Sequence, residues 1–294
     1  MEIDVDMAAG FVATHGRLLE RRRLEHLLGR GEAGDVLAAL AAYHNPDGGY
    51  GWGLEPDLRA AESQPAAAMH ALEVMAEVAP VTTTHAVELC DWLAAHTLAD
   101  GGLPFALPIR DTAGCAPLWT TASSTASSLQ MTSQVAANAH RVGRHDPAVA
   151  SHPWLPIATA YCVEAIAAID ATPHAHELRF ALRFLDAAAD AVADGHDLLE
   201  RLRPHVPPQG SMHVEGGAPD ETLEALDFAP DPDGPARRLF APEVVAADLE
   251  RLANQQQPDG GWPVAFASSS PAGALEWRGY ATVGAIAVLG ANQP

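Results

Sequence analysis

Three glycine-rich turns at regular intervals constrain this chain more than any other feature of its sequence. They read NPDGGYGW from Asn45, ADGGLPF from Ala99 and QPDGGW from Gln257. Paired glycines accept positive φ angles, and the preceding aspartate can accept a hydrogen bond from the backbone two residues on. The first two aspartates are 53 residues apart, and the third follows after 159 residues, three times that interval. This period, in a chain rich in helix formers, indicates a repeat built from helix pairs.

The stretches between the turns have the periodicity of amphipathic helices. Apolar residues recur at helical spacing in segments 5–29, 33–44, 63–79, 83–97, 122–142, 154–169, 174–191, 194–204, 242–255 and 273–290. Further turns are expected near residues 153 and 206, and irregular loops or lids at 103–121 and 205–240. The sequence therefore predicts an all-α fold: an α/α toroid of five to six helix pairs, in a single domain over residues 1–294.

The third turn carries a motif that points to a family. Residues 256–262 read QQPDGGW and fit the Gln/Trp (QW) form QxxDGxW in full, and the turns at Asp47 and Asp100 fit it in part. On these motifs the chain resembles the prenyltransferase and terpene-cyclase superfamily, whose α/α toroids carry them at their turns. The resemblance implies that the helix after each turn belongs to an inner ring around a central cavity. The segments expected to face that cavity are 54–70, 118–134, 152–164 and 275–285.

The catalytic motifs of that superfamily do not accompany the scaffold motif. The sequence has no DxDD run, no DDxxD run and no DxC pair of the kind used by zinc-dependent prenyltransferases. Cys90, Cys115 and Cys162 lack metal-ligand spacing. His174 and His176, two apart on a helix, cannot bind one metal from one face. We therefore expect no metal and no other cofactor, and the resemblance by itself specifies no reaction.

Charge composition excludes several classes of function. The chain has 17 basic and 38 acidic residues, a net charge of −21, and every basic residue is arginine. Without lysine there is no Schiff-base nucleophile, no pyridoxal-phosphate anchor and no P-loop. An acidic surface repels nucleic acid and anionic membranes. Because neither a signal peptide nor a membrane-spanning apolar run is recognisable, we expect a cytoplasmic protein with no membrane span and no nucleic-acid partner.

Four polar residues in the expected cavity segments are candidates for acid/base catalysis. Glu55 and Asp57 stand in a charged turn before an apolar helix, His152 begins another helix, and Glu276 lies near the start of the last. A carboxylate inside a largely apolar ring would have a raised pKa, as a general acid requires. Asp57 or Glu55 is therefore the expected proton donor. Acids at a helix N-terminus also stabilise the helix dipole, which leaves a structural role open.

A second group of residues could position a substrate. Arg59 and Arg278 could hold a carboxylate or phosphate, although Arg278 could equally pair with an acid such as Glu55. Aromatic rings at turns and helix starts could line a cavity or simply pack the turns. These aromatic candidates are Trp52, Trp119, Trp154, Trp277 and Tyr280.

The leading hypothesis from the sequence is an enzyme of the lyase or isomerase class. It would act on a hydrophobic, isoprenoid-like small molecule in the central cavity by acid/base cyclisation or isomerisation. The alternative is a non-catalytic ring that binds a ligand or a protein partner. A third hypothesis is a carbohydrate-processing enzyme, which needs two carboxylates facing each other at about 5 to 9.5 Å. The sequence leaves the oligomeric state open.

Overall fold

The computed structural model describes residues 3–292, and nearly all of its regular elements are helices. Within those residues there are fourteen α-helices: α1 (Val5–His15), α2 (Leu18–Leu27), α3 (Ala33–Leu40), α4 (Pro65–Glu77), α5 (Thr84–His96), α6 (Pro117–Thr120), α7 (Leu129–Gly143), α8 (Pro147–Ala150), α9 (Trp154–Ala167), α10 (Ala175–Ala188), α11 (Gly195–Leu202), α12 (Ala225–Phe228), α13 (Pro242–Asn254) and α14 (Pro271–Ala291). Short 3₁₀-helices cover Ala41–Tyr43, Arg203–His205 and Pro235–Leu239. One small antiparallel ribbon pairs β1 (Met212–His213) with β2 (Thr222–Leu223). The predicted all-α fold is confirmed.

The helices form two concentric layers. The inner layer comprises α2, α4, α7, α10, α12 and α14, in which α4 packs on α7, α7 on α10, α10 on α12 and α14 on α2. The outer layer comprises α1, α3, α5, α9, α11 and α13. Outer and inner helices alternate along the chain, and the ring closes because the last helix, α14, packs against both α1 and α2. This arrangement is an α/α toroid of six helix pairs, as the sequence predicted.

Three turns between outer and inner helices share one geometry. In each turn the aspartate (Asp47, Asp100 or Asp259) accepts a hydrogen bond from the amide of the second glycine at 3.0 or 3.1 Å. The first glycine has a φ of +88° or +90°. At Gly260 the missing side chain is required as well, because an added Cβ would collide with the backbone of Met7. These turns therefore depend on their local residue types.

Gln256 and Trp262 join the end of the chain to its beginning. The Gln256 amide accepts from the Asp4 N–H at 2.9 Å and donates to the Asp4 carbonyl at 2.8 Å. The buried Trp262 indole donates to the Leu252 carbonyl at 2.7 Å, at the end of α13, and packs in one apolar cluster with Phe11 of α1. This contact fastens α13 and α14 to the first helix.

Two details of the sequence prediction are wrong. The single helix expected over 5–29 is broken at Gly16, which is extended and ends α1, so α1 and α2 form the first outer–inner pair. The break near 153 leads from the inner helix α7 to the outer helix α9. Segment 152–164 therefore packs on the outside of α7, next to α5 and α11, and does not line the centre. Proline and glycine mark a break in a helix, but they do not determine which layer the chain enters next.

Two long irregular segments interrupt the helix pairs, one after α5 and one after α11. The first segment contains α6 and extends to Ser128. The Ser128 hydroxyl accepts a hydrogen bond from the Met131 amide and caps the start of α7. The second contains the small ribbon and α12. Among the helices of residues 3–292, none has both the length and the apolar composition required to cross a bilayer.

Candidate functional site

The inner helices direct charged side chains toward the space they enclose, which we call the hub. On α4, His70, Glu73 and Glu77 share one helix face because they are three and four residues apart. Arg23 of α2 and Tyr280 of α14 contact this face. These five residues, the hub cluster, bring together three inner helices that are far apart in sequence.

Glu73 lies at the middle of the hub cluster. Its carboxylate accepts hydrogen bonds from the Tyr280 hydroxyl at 2.8 and 3.0 Å and lies 3.3 Å from His70 Nδ1 and 3.9 Å from the Arg23 guanidinium. Burial alone would raise the pKa of this carboxyl, but the hydrogen bond from His70 and the charge of Arg23 lower it to about 2. Glu73 is therefore ionised at neutral pH.

His70 is held between two carboxylates. Its Nε2 lies 2.9 Å from Glu55 and its Nδ1 3.3 Å from Glu73, and its side chain is 6% exposed. Burial alone would lower the pKa of this imidazole, but hydrogen bonds to the two carboxylates raise it to about 9. His70 is therefore an imidazolium at neutral pH. Such an acid can protonate an enolate or a phenolate, but it is far too weak for an isolated alkene.

Arg23 links the remaining members of the hub cluster. Its Nε donates to Glu77 at 2.8 Å and its NH2 donates to the other oxygen of the same carboxylate. The guanidinium also lies over the Tyr280 ring, 5.1 Å from the ring centre. This bidentate pair and the aromatic contact hold α2, α4 and α14 in register.

A second charged group, the hub arginines, comprises Arg141 of α7 with Arg179 and Arg183 of α10. Arg183 Nε donates to the Asp227 carbonyl at 2.8 Å, and Arg179 NH2 lies 3.6 Å from the Asp227 carboxylate. Arg179 Nε is buried and has no hydrogen-bond partner within residues 3–292. Burial, followed by repulsion from the two other hub arginines, lowers the pKa of Arg183 to about 10. Three arginines therefore lie together on this side of the hub, with the carboxylates of Asp227 and Asp186 near them.

The hub retains accessible surface. Glu73 and Glu77 keep 25% and 38% of their side-chain surface exposed, although both lie on an inner helix. One turn beyond Tyr280, a Cβ added at Gly284 would meet no atom within 4 Å. The open space and the charged groups therefore occur together on the inner helices. The hub is more polar than the largely apolar ring that the sequence suggested.

Asp57 lies at the mouth of the hub, where the inner helices begin. Its carboxylate accepts from the Ser268 hydroxyl at 2.6 Å, from the amide and hydroxyl of Ser269 at 2.9 Å each, and from the Trp277 indole at 2.8 Å. Burial opposes ionisation, but these hydrogen bonds lower the pKa of Asp57. The raised pKa expected from the sequence is wrong, because four donors surround the carboxylate. An ionised Asp57 is not a proton donor.

The other expected residues of the mouth join different partners. Arg59 pairs with Glu276 at 2.6 Å, which connects the segment before α4 to the start of α14. Trp277 places its ring 6.0 Å from His70 and 5.5 Å from Tyr280, both edge-on. Trp277 and Glu55 therefore contact the hub cluster, of which Tyr280 is a member, while Arg59 and Glu276 lie beside the mouth.

Three of the expected residues do not contribute to the hub. His152 lies 3.1 Å from Asp91 of α5, and the indole of Trp154 donates to Thr97, so both are held in the outer layer. Arg278 forms a bidentate pair with the aspartate of the third turn at 2.8 and 2.9 Å. The expectation that these residues face the cavity is wrong, because α9 is an outer helix and Arg278 points back to the turn.

Trp52 and Trp119 lie in the loops. Trp52 has a φ of +57°, is 59% exposed and lines a surface groove of about 650 Å³ beside the first turn. Trp119 stacks on Phe105 with ring centres 4.8 Å apart, within the segment before α7. Trp52 is therefore a surface residue and not part of a cavity wall.

Sequence reasoning missed His70, Glu73 and the hub arginines. A sequence signal for these residues does exist. His70 and Glu73 are three residues apart and Arg179 and Arg183 are four apart, so each pair forms a polar face on a helix that is otherwise largely apolar. The apolar face of each inner helix predicted where that helix packs, but the polar residues on the opposite face were not interpreted as a site. Within the described residues, a group with metal-ligand spacing lies outside the hub, at His44, His85 and Glu88.

The fold defines the class of architecture: an α/α toroid of six helix pairs, with charged side chains on its inner helices. No family model matches the sequence, and no curated protein matches it. The type II terpene cyclase MstE from Scytonema, without ligand, is a similar solved structure, with a TM-score of 0.53, 15% identity, and coverage of 97% of this chain and 86% of that chain. A variant of the same cyclase in complex with its substrate, geranylgeranyl dihydroxybenzoate, has a TM-score of 0.51, 14% identity and the same coverage. The terpene-cyclase-like fold expected from the turns is thereby confirmed.

Proposed function

We propose that this protein is an enzyme that binds an isoprenoid-like molecule with an anionic head in the hub and isomerises it by acid/base chemistry. The observation that carries the proposal is His70 held between Glu55 and Glu73 on an inner helix, where the Glu73 side chain remains partly exposed. The similar cyclase structure supports the class of ligand, because its substrate joins a geranylgeranyl chain to a dihydroxybenzoate.

The charges of the hub favour an anionic head group. Arg141, Arg179 and Arg183 have one ion-pair partner among the described residues, Asp227, so their remaining N–H groups suit a carboxylate. Arginine binds a carboxylate through two parallel hydrogen bonds. The rings of Trp277 and Tyr280 offer the apolar surface that an isoprenoid chain needs.

The acid/base step follows from the two contacts of His70. The Nε2 contact with Glu55 is shorter, 2.9 Å against 3.3 Å, so the proton on Nδ1, beside the more accessible Glu73, is the one delivered to substrate. Glu73 first removes a proton from a carbon activated by a carbonyl, which gives a dienolate. The Nδ1 proton of His70 then adds to another carbon of that dienolate. The proton on Glu73 passes to His70 Nδ1, 3.3 Å away, which restores both residues and leaves the double bond shifted. The reaction needs no cofactor and its protons balance. Because this acid cannot protonate an isolated alkene, we favour isomerisation over proton-initiated cyclisation.

Binding is tested by titration calorimetry with geranylgeranyl dihydroxybenzoate and with the matching geranylgeranyl diol that lacks the carboxylate. Loss of one hydrogen bond to a charged group costs about 1.5–3 kcal/mol, so the diol and an Arg183→Gln protein should each bind about tenfold to 100-fold more weakly. The control is Arg110→Gln, since that side chain is 93% exposed on the surface. Equal affinity for both ligands would contradict the role of the hub arginines.

Catalysis is tested in D₂O by mass spectrometry with a ligand suited to the proposed step, an isoprenoid chain that carries a carboxylate and a double bond conjugated to a ketone. Isomerisation by proton exchange should add deuterium at carbon without any other change in composition. His70→Gln should abolish incorporation while binding persists. If wild-type protein binds the ligand without incorporating deuterium, the second candidate stands: a non-catalytic ligand-binding ring. That candidate is favoured by one observation, that every member of the hub cluster already has a hydrogen-bond or ion-pair partner.

A further inference from the structure

Three potential metal ligands converge on the outer layer, away from the hub. His44 follows the 3₁₀-helix before the first glycine-rich turn, and His85 and Glu88 lie three apart on the first turns of α5. One ligand atom from each residue lies within 4.8 Å of the other two. The Glu88 carboxylate is 2.8 Å from His85 Nδ1 and 3.4 Å from His44 Nε2. In a tetrahedral zinc site with metal–ligand bonds of about 2.0–2.1 Å, the ligand atoms lie at distances from one another that are comparable to those found here.

His44 is the residue that hydrogen bonding leaves unexplained. The contact between His85 and Glu88 is an ordinary pair on one helix face, but His44 Nε2 is buried and has no hydrogen-bond partner within residues 3–292. A neutral imidazole has the free lone pair that a metal ligand needs.

The surroundings of the group suit an ion that enters from solvent. The side chains of His85 and Glu88 are 39% and 48% exposed, so solvent can reach the ligands and complete the coordination. Two imidazoles and a carboxylate are a ligand set that zinc accepts with a water in the remaining position. The backbone carbonyl of Glu88 also lies against Gly48 of the first turn, where an added Cβ would be 2.9 Å from it.

We propose that His44, His85 and Glu88 bind one zinc ion that fastens the first glycine-rich turn to α5. The ion would join the residue before the turn to the helix on which the turn packs. This site is independent of the hub, and the proposal does not rest on the isomerase proposed above.

The intact chain, freed of metal with a chelator and dialysed, is titrated with Zn²⁺ by calorimetry and with Co²⁺ by visible absorption. We expect one Zn²⁺ per chain, Co²⁺ bands typical of tetrahedral coordination with nitrogen and oxygen ligands, and a rise in Tm of about 5 °C at a hundredfold excess over Kd. The variant His85→Gln should bind at least tenfold more weakly. Its side chain is partly exposed, so its Tm in chelator should equal that of wild type.

The matched control is His196→Gln, which makes the same change at another surface histidine that lies 3.1 Å from a carboxylate, that of Asp190. It should leave the affinity and the stoichiometry unchanged. Two results would overturn the proposal: wild type that takes up no Zn²⁺ at the protein concentration used, or His85→Gln that binds Zn²⁺ as tightly as wild type.

Discussion

Replacing Asp57 with asparagine should weaken the closure of the ring. The carboxylate accepts four hydrogen bonds, three at Oδ1 from Ser268 and Ser269 and one at Oδ2 from Trp277. An asparagine keeps one acceptor oxygen, and its amide nitrogen then faces either the serine donors or the indole N–H. The variant loses at least one charge-assisted bond and leaves a buried donor without an acceptor, each worth about 1–3 kcal/mol. We expect a loss of about 3 kcal/mol in the free energy of unfolding.

The pH dependence of this difference has a definite sign. The hydrogen bonds lower the pKa of Asp57 in the folded protein, whereas an aspartate in an unfolded chain titrates at about pH 3.9. The stabilisation is therefore complete above about pH 4 and is lost as pH falls through the folded-state pKa. The difference between wild type and variant should be constant from about pH 7 to pH 5 and shrink in stronger acid.

Urea unfolding followed by tryptophan fluorescence at pH 7, 5 and 3.5 measures both effects. The midpoint should fall with the slope m unchanged, because the surface exposed on unfolding is the same. Asp194→Asn is the matched control, since that aspartate is exposed and makes no capping hydrogen bond at α11. Two results would refute the stabilising role of Asp57: a difference in unfolding free energy between wild type and Asp57→Asn below about 0.5 kcal/mol at pH 7, or a difference that grows in acid.

His70, with a pKa raised to about 9, should show that value in an NMR titration, and its stabilising charge should be present below about pH 6.5 and lost as pH rises through 9. Gly260→Ala should lower the unfolding free energy by more than about 2 kcal/mol, and by more than Gly29→Ala, because both have positive φ but only Gly260 contacts Met7. Ellman's reagent should react with at most one thiol of the native protein, that of Cys115, and with all three cysteines after unfolding, since the other two are buried.

The three glycine-rich turns of this protein could be predicted from its sequence. Gly48, Gly101 and Gly260 each take a positive φ, and the aspartate before each of them bonds to the next glycine's amide. Such a turn needs particular residues at consecutive positions, so its evidence is local. The apolar periodicity of the segments between the turns is also local. The turns and the periodicity together were sufficient to predict an α/α toroid.

The hub could not be predicted in the same way. Tyr280 meets Glu73 across 207 residues of sequence, and Ser268 meets Asp57 across 211. Whether a carboxylate is protonated depends on donors that such contacts supply, so the pKa of Asp57 took the direction opposite to the one expected. His152 shows the same limit, because only packing decides which layer a helix joins. Local residue types determined where the chain turns, and the closed ring alone decided which side chains meet inside it.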